Sequence, residues 1–152
     1  TNLQKYSLFS LRISLGWLFF YAGITKILNP EWSAAGYLKG AKTFAWFYQW
    51  LLTPSMLPVI NFLNEWGLTL IGASLILGVF VRWGSYAGVL MMALYYFPIL
   101  QFPVVGEHSY IVDEHIIYIL AFLVLVGFDA GKTWGLENRI SAIFGGRKTE
   151  IV

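Results

Sequence analysis

Four apolar runs, each long enough to cross a bilayer as a helix, take up most of the chain and leave room for little else. A hydrocarbon core of about 30 Å needs around 20 helical residues, and runs of that size lie at residues 8–28, 57–80, 83–102 and 110–128. Of 152 residues, 58% are hydrophobic and 12% charged, against about 25% charged in an ordinary soluble domain. The expected fold is all-α, an integral membrane four-helix bundle filling residues 1–152 as one domain. Chemistry is then confined to the bundle and its rims. The first run lacks a small-residue cleavage pattern and reads as a retained span.

Charge gives an expected orientation. The N-terminus, the turn between the second and third runs and the C-terminal tail hold Lys5, Arg12, Arg82, Lys132, Arg139, Arg147 and Lys148, whereas the two opposite connections hold Lys26, Lys39 and Lys42. Both termini are expected on the cytoplasmic side of a prokaryotic cytoplasmic membrane, with Glu107, His108, Asp113, Glu114 and His115 at the outer side. The net charge of +2 comes mostly from this bias and gives no support to nucleic-acid binding. With no cysteine, thiol redox chemistry and disulfides are excluded.

The connection at residues 31–53 is too long and aromatic for a plain turn. Its Trp32, Tyr37, Trp46 and Tyr48 suit a membrane interface, so one or two short helices are expected over the bundle mouth, as an anchor or as a lid. Near residues 134–145, Leu136, Ile140, Ile143 and Phe144 recur at helical spacing, predicting a short amphipathic helix.

Helical periodicity then selects inward faces. Arg12, Gly16, Phe19, Gly23 and Lys26 form one stripe, and Asn61, Glu65, Leu68 and Gly72 another. At about 1.5 Å per residue, Glu65 lies roughly 12 Å inside the second run. Lys26, Glu114 and His115 are expected at the same depth, with Asn61, Asn64, Tyr95 and Tyr118 nearby. Ionisable groups in lipid face a partner or a wet cavity. Two readings follow: Glu65 and Lys26 form a structural ion pair, or the cluster is a pocket handling an anion or protons. Arg12 and Arg82 read as structural charges near the inner surface. No Glu-x-x-His or His-x-x-x-His spacing presents metal ligands on one helical face, so no metal is expected, and no phosphate loop or nucleophile elbow occurs.

The stretches "LRISLGWLFFYAGITKILNP", "NEWGLTLIGASLILGVFVRWGSYAGVLMM" and "DAGKTWGLENRI" resemble the DoxX/DoxD family of small four-helix membrane proteins. The nearest likeness is to its DoxD type, the membrane subunit of thiosulfate:quinone oxidoreductase. The resemblance implies oxidation of thiosulfate to tetrathionate, a membrane quinone as electron acceptor, and a second redox subunit. Under it Glu65, His115 and Glu114 take part in quinone protonation. Lys26 holds the anion, Trp32 limits water access, and Tyr95 or Tyr118 hydrogen-bonds the quinone, with Asn61 and Asn64 completing the pocket. Two other classes stay open: a noncatalytic anchor or assembly subunit of a redox complex, and a permease for a small anion or acid. Self-association is compatible with all three.

Overall fold

The structure is a computed structural model in which residues 1–137 are described. Helix α1 (Asn2–Ile27) starts earlier than the apolar run because Thr1 and Gln4 close a capping box, each side chain bonding the other's backbone. Two short helices follow, α2 (Ala35–Lys39) and α3 (Ala45–Leu51). Helix α4 (Leu57–Leu77) opens with a proline in its first turn, and Gly78 stops it at φ +67°, in the left-handed region. After a tight turn comes α5 (Val81–Ile99). The chain is mostly helical, as expected, and departs from all-α only in the next segment. Strands β1 (Val104–Gly106) and β2 (Ser109–Tyr110) pair as a small antiparallel hairpin after a cis Phe102–Pro103 bond. The hairpin ends on Tyr110, the first residue expected in the fourth span, and α6 (Glu114–Gly127) begins only where Asp113 caps it. A 3₁₀ turn at Ala130–Lys132 follows. Most of the amphipathic helix expected at residues 134–145 lies outside the described residues.

Helix α1 lies along α4, α5 lies along α6, and α4 and α5 join the two pairs more loosely. Glycines set the first contact. A Cβ at Gly72 would sit 2.6 Å from the Gly16 carbonyl oxygen, and one at Gly23 would sit 2.9 Å from the Glu65 carbonyl oxygen. Backbone therefore meets backbone, as small residues permit between apolar helices. At the centre Phe19 and Phe122, both fully buried, meet edge to face at 5.0 Å between centroids, with Leu75 and Leu125 around them.

Arg12, only 1% exposed, closes one end. Its Nη1 donates to the Ala130 carbonyl at 2.6 Å and the Thr133 carbonyl at 2.9 Å, and its Nη2 to the Trp134 carbonyl at 3.4 Å. The same loop adds Leu136 N to the Leu77 carbonyl at 3.1 Å and Glu137 N to the Gly78 carbonyl at 3.0 Å. Arg82 bonds Asp129 at 2.7 Å on the surface beside it, and Lys132 bonds the other oxygen of Asp129 at 3.0 Å. The Lys132 hydrogen bond, with Arg82 behind it, holds the Asp129 carboxyl below the usual carboxylate range.

Large apolar side chains such as Trp17, Phe62, Leu70, Trp83, Leu90 and Leu120 are exposed around the helices. Exposed apolar side chains on every long helix suit lipid contact. Two helices, α1 and α4, are long and apolar enough to cross a membrane. Helix α6, with 14 residues, reaches about 21 Å.

Candidate functional site

Pro98 lies inside α5 and has no amide proton to give the Leu94 carbonyl one turn back. The Tyr48 hydroxyl from α3 donates to that carbonyl at 2.9 Å. The Tyr37 hydroxyl from α2 donates to the neighbouring carbonyl of Tyr95. Thr43 Oγ1 donates to the Leu100 carbonyl, and Lys42 N to the Pro98 carbonyl at 3.0 Å. The connection is thus strapped across the end of α5 as a lid. Its near end is held by Asn61, whose Oδ1 accepts from Ala34 N at 3.0 Å. Burial is the main cause raising both phenols above their ordinary value. Tyr37 is pushed up to about 12, with Tyr48, Asp113 and Glu114 adding repulsion to its charged form.

Beneath the lid a cavity of about 780 Å³ runs between α4 and α5. Its two ends differ in chemistry. At the lid end stand Lys26, Trp32, Asn64, Tyr95 and His115, and towards the other end the walls are Leu70, Ala87, Leu90 and Trp83, with Ser74 as an isolated hydroxyl. Lys26 Nζ lies over the Trp32 ring, 5.2 Å from its centroid, a cation–π arrangement. The Tyr95 hydroxyl donates to Asn64 Oδ1, and Asn64 Nδ2 donates to the Ile60 carbonyl at 2.8 Å.

His115 is held most firmly. Asp113 accepts from the His115 and Ile116 amides through Oδ1, capping α6, while its Oδ2 lies 2.6 Å from His115 Nδ1. A carboxylate only accepts, so Nδ1 carries a proton, which leaves Nε2 of the neutral ring an acceptor, and His115 lines the cavity. The two side chains are 9% and 13% exposed. One carboxylate thus starts the helix and fixes the imidazole.

Of the residues expected together, Lys26, Trp32, Asn64, Tyr95 and His115 line one cavity. The others lie apart. Glu65 is half-buried on α4 and does not line the cavity. No ion pair joins it to Lys26 among the described residues. Glu114 is exposed in the first turn of α6. Tyr118 packs edge-on against Phe19, 6.1 Å between centroids, in the core. Asn61 fastens the lid, and Arg12 and Arg82 lie with the Ala130–Trp134 loop. Asp113 and Tyr37 join the site without having been expected there. Among the described residues no three His, Asp or Glu side chains cluster as a metal site.

With this geometry in place, comparison with known proteins adds one finding. A family model described as DoxX matches residues 7–99, from the first helix through the lid to the end of α5. The chain belongs to the DoxX family. No curated protein and no solved structure matches it. The matched stretch includes Lys26, Trp32, Asn64 and Tyr95, whereas Asp113 and His115 lie beyond it.

Proposed function

We propose that this DoxX-family chain is a four-span membrane redox protein, with α1, α4, α5 and α6 crossing the bilayer and both termini cytoplasmic. In this reading a membrane quinone is reduced under the lid. The observation that carries it is an oriented Asp113–His115 pair at the polar end of a cavity whose far end is apolar. A quinone has the matching form: a flat ring with two carbonyl oxygens and an apolar tail. His115 Nε2 delivers a proton to one carbonyl oxygen as electrons arrive, and Asp113 steadies the imidazolium. The second Nδ2 proton of Asn64 hydrogen-bonds the other oxygen.

The electron source is thiosulfate, as the family likeness implies. Two thiosulfate ions join through a new S–S bond to form tetrathionate and release two electrons, and the quinone takes these with two protons to become quinol. Lys26, held over Trp32, supplies the cation that attracts the anion. Proton delivery falls to His115 rather than to Glu65 or Glu114, neither of which lines the cavity.

The test is thiosulfate-dependent reduction of a short-tailed quinone by the purified protein in lipid nanodiscs. Turnover that falls at least about a hundredfold, within the usual range for a general acid, in a folded His115→Asn variant and persists in Glu65→Gln supports the reading. Unchanged turnover in His115→Asn overturns it. No turnover in the intact protein favours the noncatalytic anchor.

A further inference from the structure

The cavity is closed on one side and open on another. Its lid end is covered by α2 and α3, strapped down by Tyr37, Thr43 and Tyr48. The rims along α4 and α5 are apolar and outward-facing: Leu63 is 51% exposed, Leu70 62%, Leu90 63% and Trp83 74%. A ligand dissolved in lipid would meet an open slot along α4 and α5. From Asn64 to Ser74 the slot follows α4 for about 15 Å, and from Tyr95 to Trp83 it follows α5 for about 18 Å, at 1.5 Å per residue. Both distances exceed what a quinone ring alone can fill.

We infer that the α4–α5 slot is a lateral binding groove for the apolar tail of an isoprenoid quinone, which reaches the Asp113–His115 end from within the bilayer and leaves its tail between Leu70 and Leu90. The identity of the head rests on the quinone reading; the groove itself does not. Two features favour a slender tail over a protein helix as occupant. The volume of about 780 Å³ falls within the range of small-molecule pockets, and apart from Ser74, whose hydroxyl is taken up by the Val79 carbonyl at 2.7 Å, the polar groups gather at one end, as an amphiphile with a single head requires. Ala87 is exposed on the groove wall, so a larger side chain there obstructs the tail without entering the core.

The probe is a quinone carrying a diazirine at the end of a short isoprenoid tail, photolysed with the protein in nanodiscs. Parallel samples contain a diazirine phospholipid or an excess of unlabelled quinone. Label is expected on the peptides containing Leu70 and Ala87 to Leu90, suppressed at least tenfold by unlabelled quinone and by Ala87→Phe. Ala87→Leu, a milder change, should reduce it in part. Label spread evenly over the outward faces of all four helices overturns the inference. So does groove labelling by the phospholipid probe that quinone fails to displace, because the occupant is then an acyl chain. Turnover with a tail-less quinone separates the two readings. Its loss in His115→Asn with groove labelling intact assigns the head chemistry independently of the tail.

Discussion

The Tyr48 hydroxyl donates to the Leu94 carbonyl, the acceptor that Pro98 deprives of its helical amide. A break in α5 thereby becomes the anchor for the lid. Tyr48→Phe should destabilise the protein by about 1–3 kcal/mol, the cost of leaving a buried acceptor unpaired, and speed amide exchange in α3. In a Pro98→Ala background the restored amide can serve Leu94, so the same substitution should cost clearly less. A double-mutant cycle in thermal unfolding measures that difference. Equal costs in both backgrounds would separate the lid from the proline.

Parts of this arrangement can be read directly from the sequence. The stripe Arg12, Gly16, Phe19, Gly23 makes up four of the five buried residues of α1, because a single helix carries its own periodicity. Gly78 marks the end of α4 for an equally local reason. The site depends on relations that no single helix contains. Asn64 and Glu65 are adjacent, about 100° apart around the helix, and only the rotation of α4 against α5 decides that Asn64 meets Tyr95. Asp113 precedes its helix and binds His115 two positions on, a spacing that face-by-face reading of i, i+3 and i+4 passes over. An Asp before an apolar run is nonetheless a helix-start signal, and reading it would have found the partner of His115. The hairpin after α5 is too short to leave a two-residue pattern.

The glycine contacts predict a graded series. At Gly72 an added methyl meets the rigid backbone of Phe20 and Gly16, and at Gly67 it meets the terminal methyl of Met91, which can swing aside. At Gly36 it meets nothing within 4 Å. Gly72→Ala should therefore part α1 from α4 and cost roughly 3 kcal/mol or more, as overpacking against backbone does. Gly67→Ala should cost under about 1.5 kcal/mol, and Gly36→Ala should stay within about 0.5 kcal/mol. Thermal unfolding of the three variants in one detergent tests the order. A Gly72→Ala protein as stable as Gly36→Ala would mean that the helices are not in backbone contact.

Arg12 serves three carbonyls of a loop more than a hundred residues away in sequence. Arg12→Met keeps the length of the side chain and removes every donor, leaving the Ala130 acceptor buried. We expect a loss of roughly 3 kcal/mol and early proteolysis near Thr133–Trp134. Arg12→Lys should recover only part, since one ammonium does not reproduce the guanidinium fork. Full stability in Arg12→Lys would show that charge alone holds the loop.

Asp113 combines two roles that one substitution separates. Asparagine caps a helix about as well as aspartate, so Asp113→Asn should keep α6 folded, with stability within about 1 kcal/mol. The imidazole loses its anionic partner, and if the proposed quinone reduction holds, turnover should fall at least about tenfold while the apparent affinity for quinone changes little. Asp113→Ala removes the cap as well and should lose both stability and turnover. Circular dichroism in parallel with the quinone assay distinguishes them. An Asp113→Asn protein with undiminished turnover would leave Asp113 a helix cap alone.

High pH should open the lid before it unfolds the helices. Burial under the lid pushes the Tyr37 phenol up from its ordinary 10.0 to about 12. Between those values the unfolded chain holds fewer protons than the folded one, so stability falls as pH rises. Below pH 10 the contribution is complete, and it is lost as pH climbs through the folded value. Tyr37 keeps 41% of its surface exposed, which screens the effect and makes it local to the strap over Tyr95. Tyr48 shifts in the same direction, so Tyr37→Phe should remove part of the pH dependence rather than all of it. Amide exchange in α2 and α3, followed from pH 9 to 12 alongside tyrosinate absorbance, reads lid and phenol together. Exchange that quickens equally in wild type and Tyr37→Phe would detach the lid from this hydroxyl.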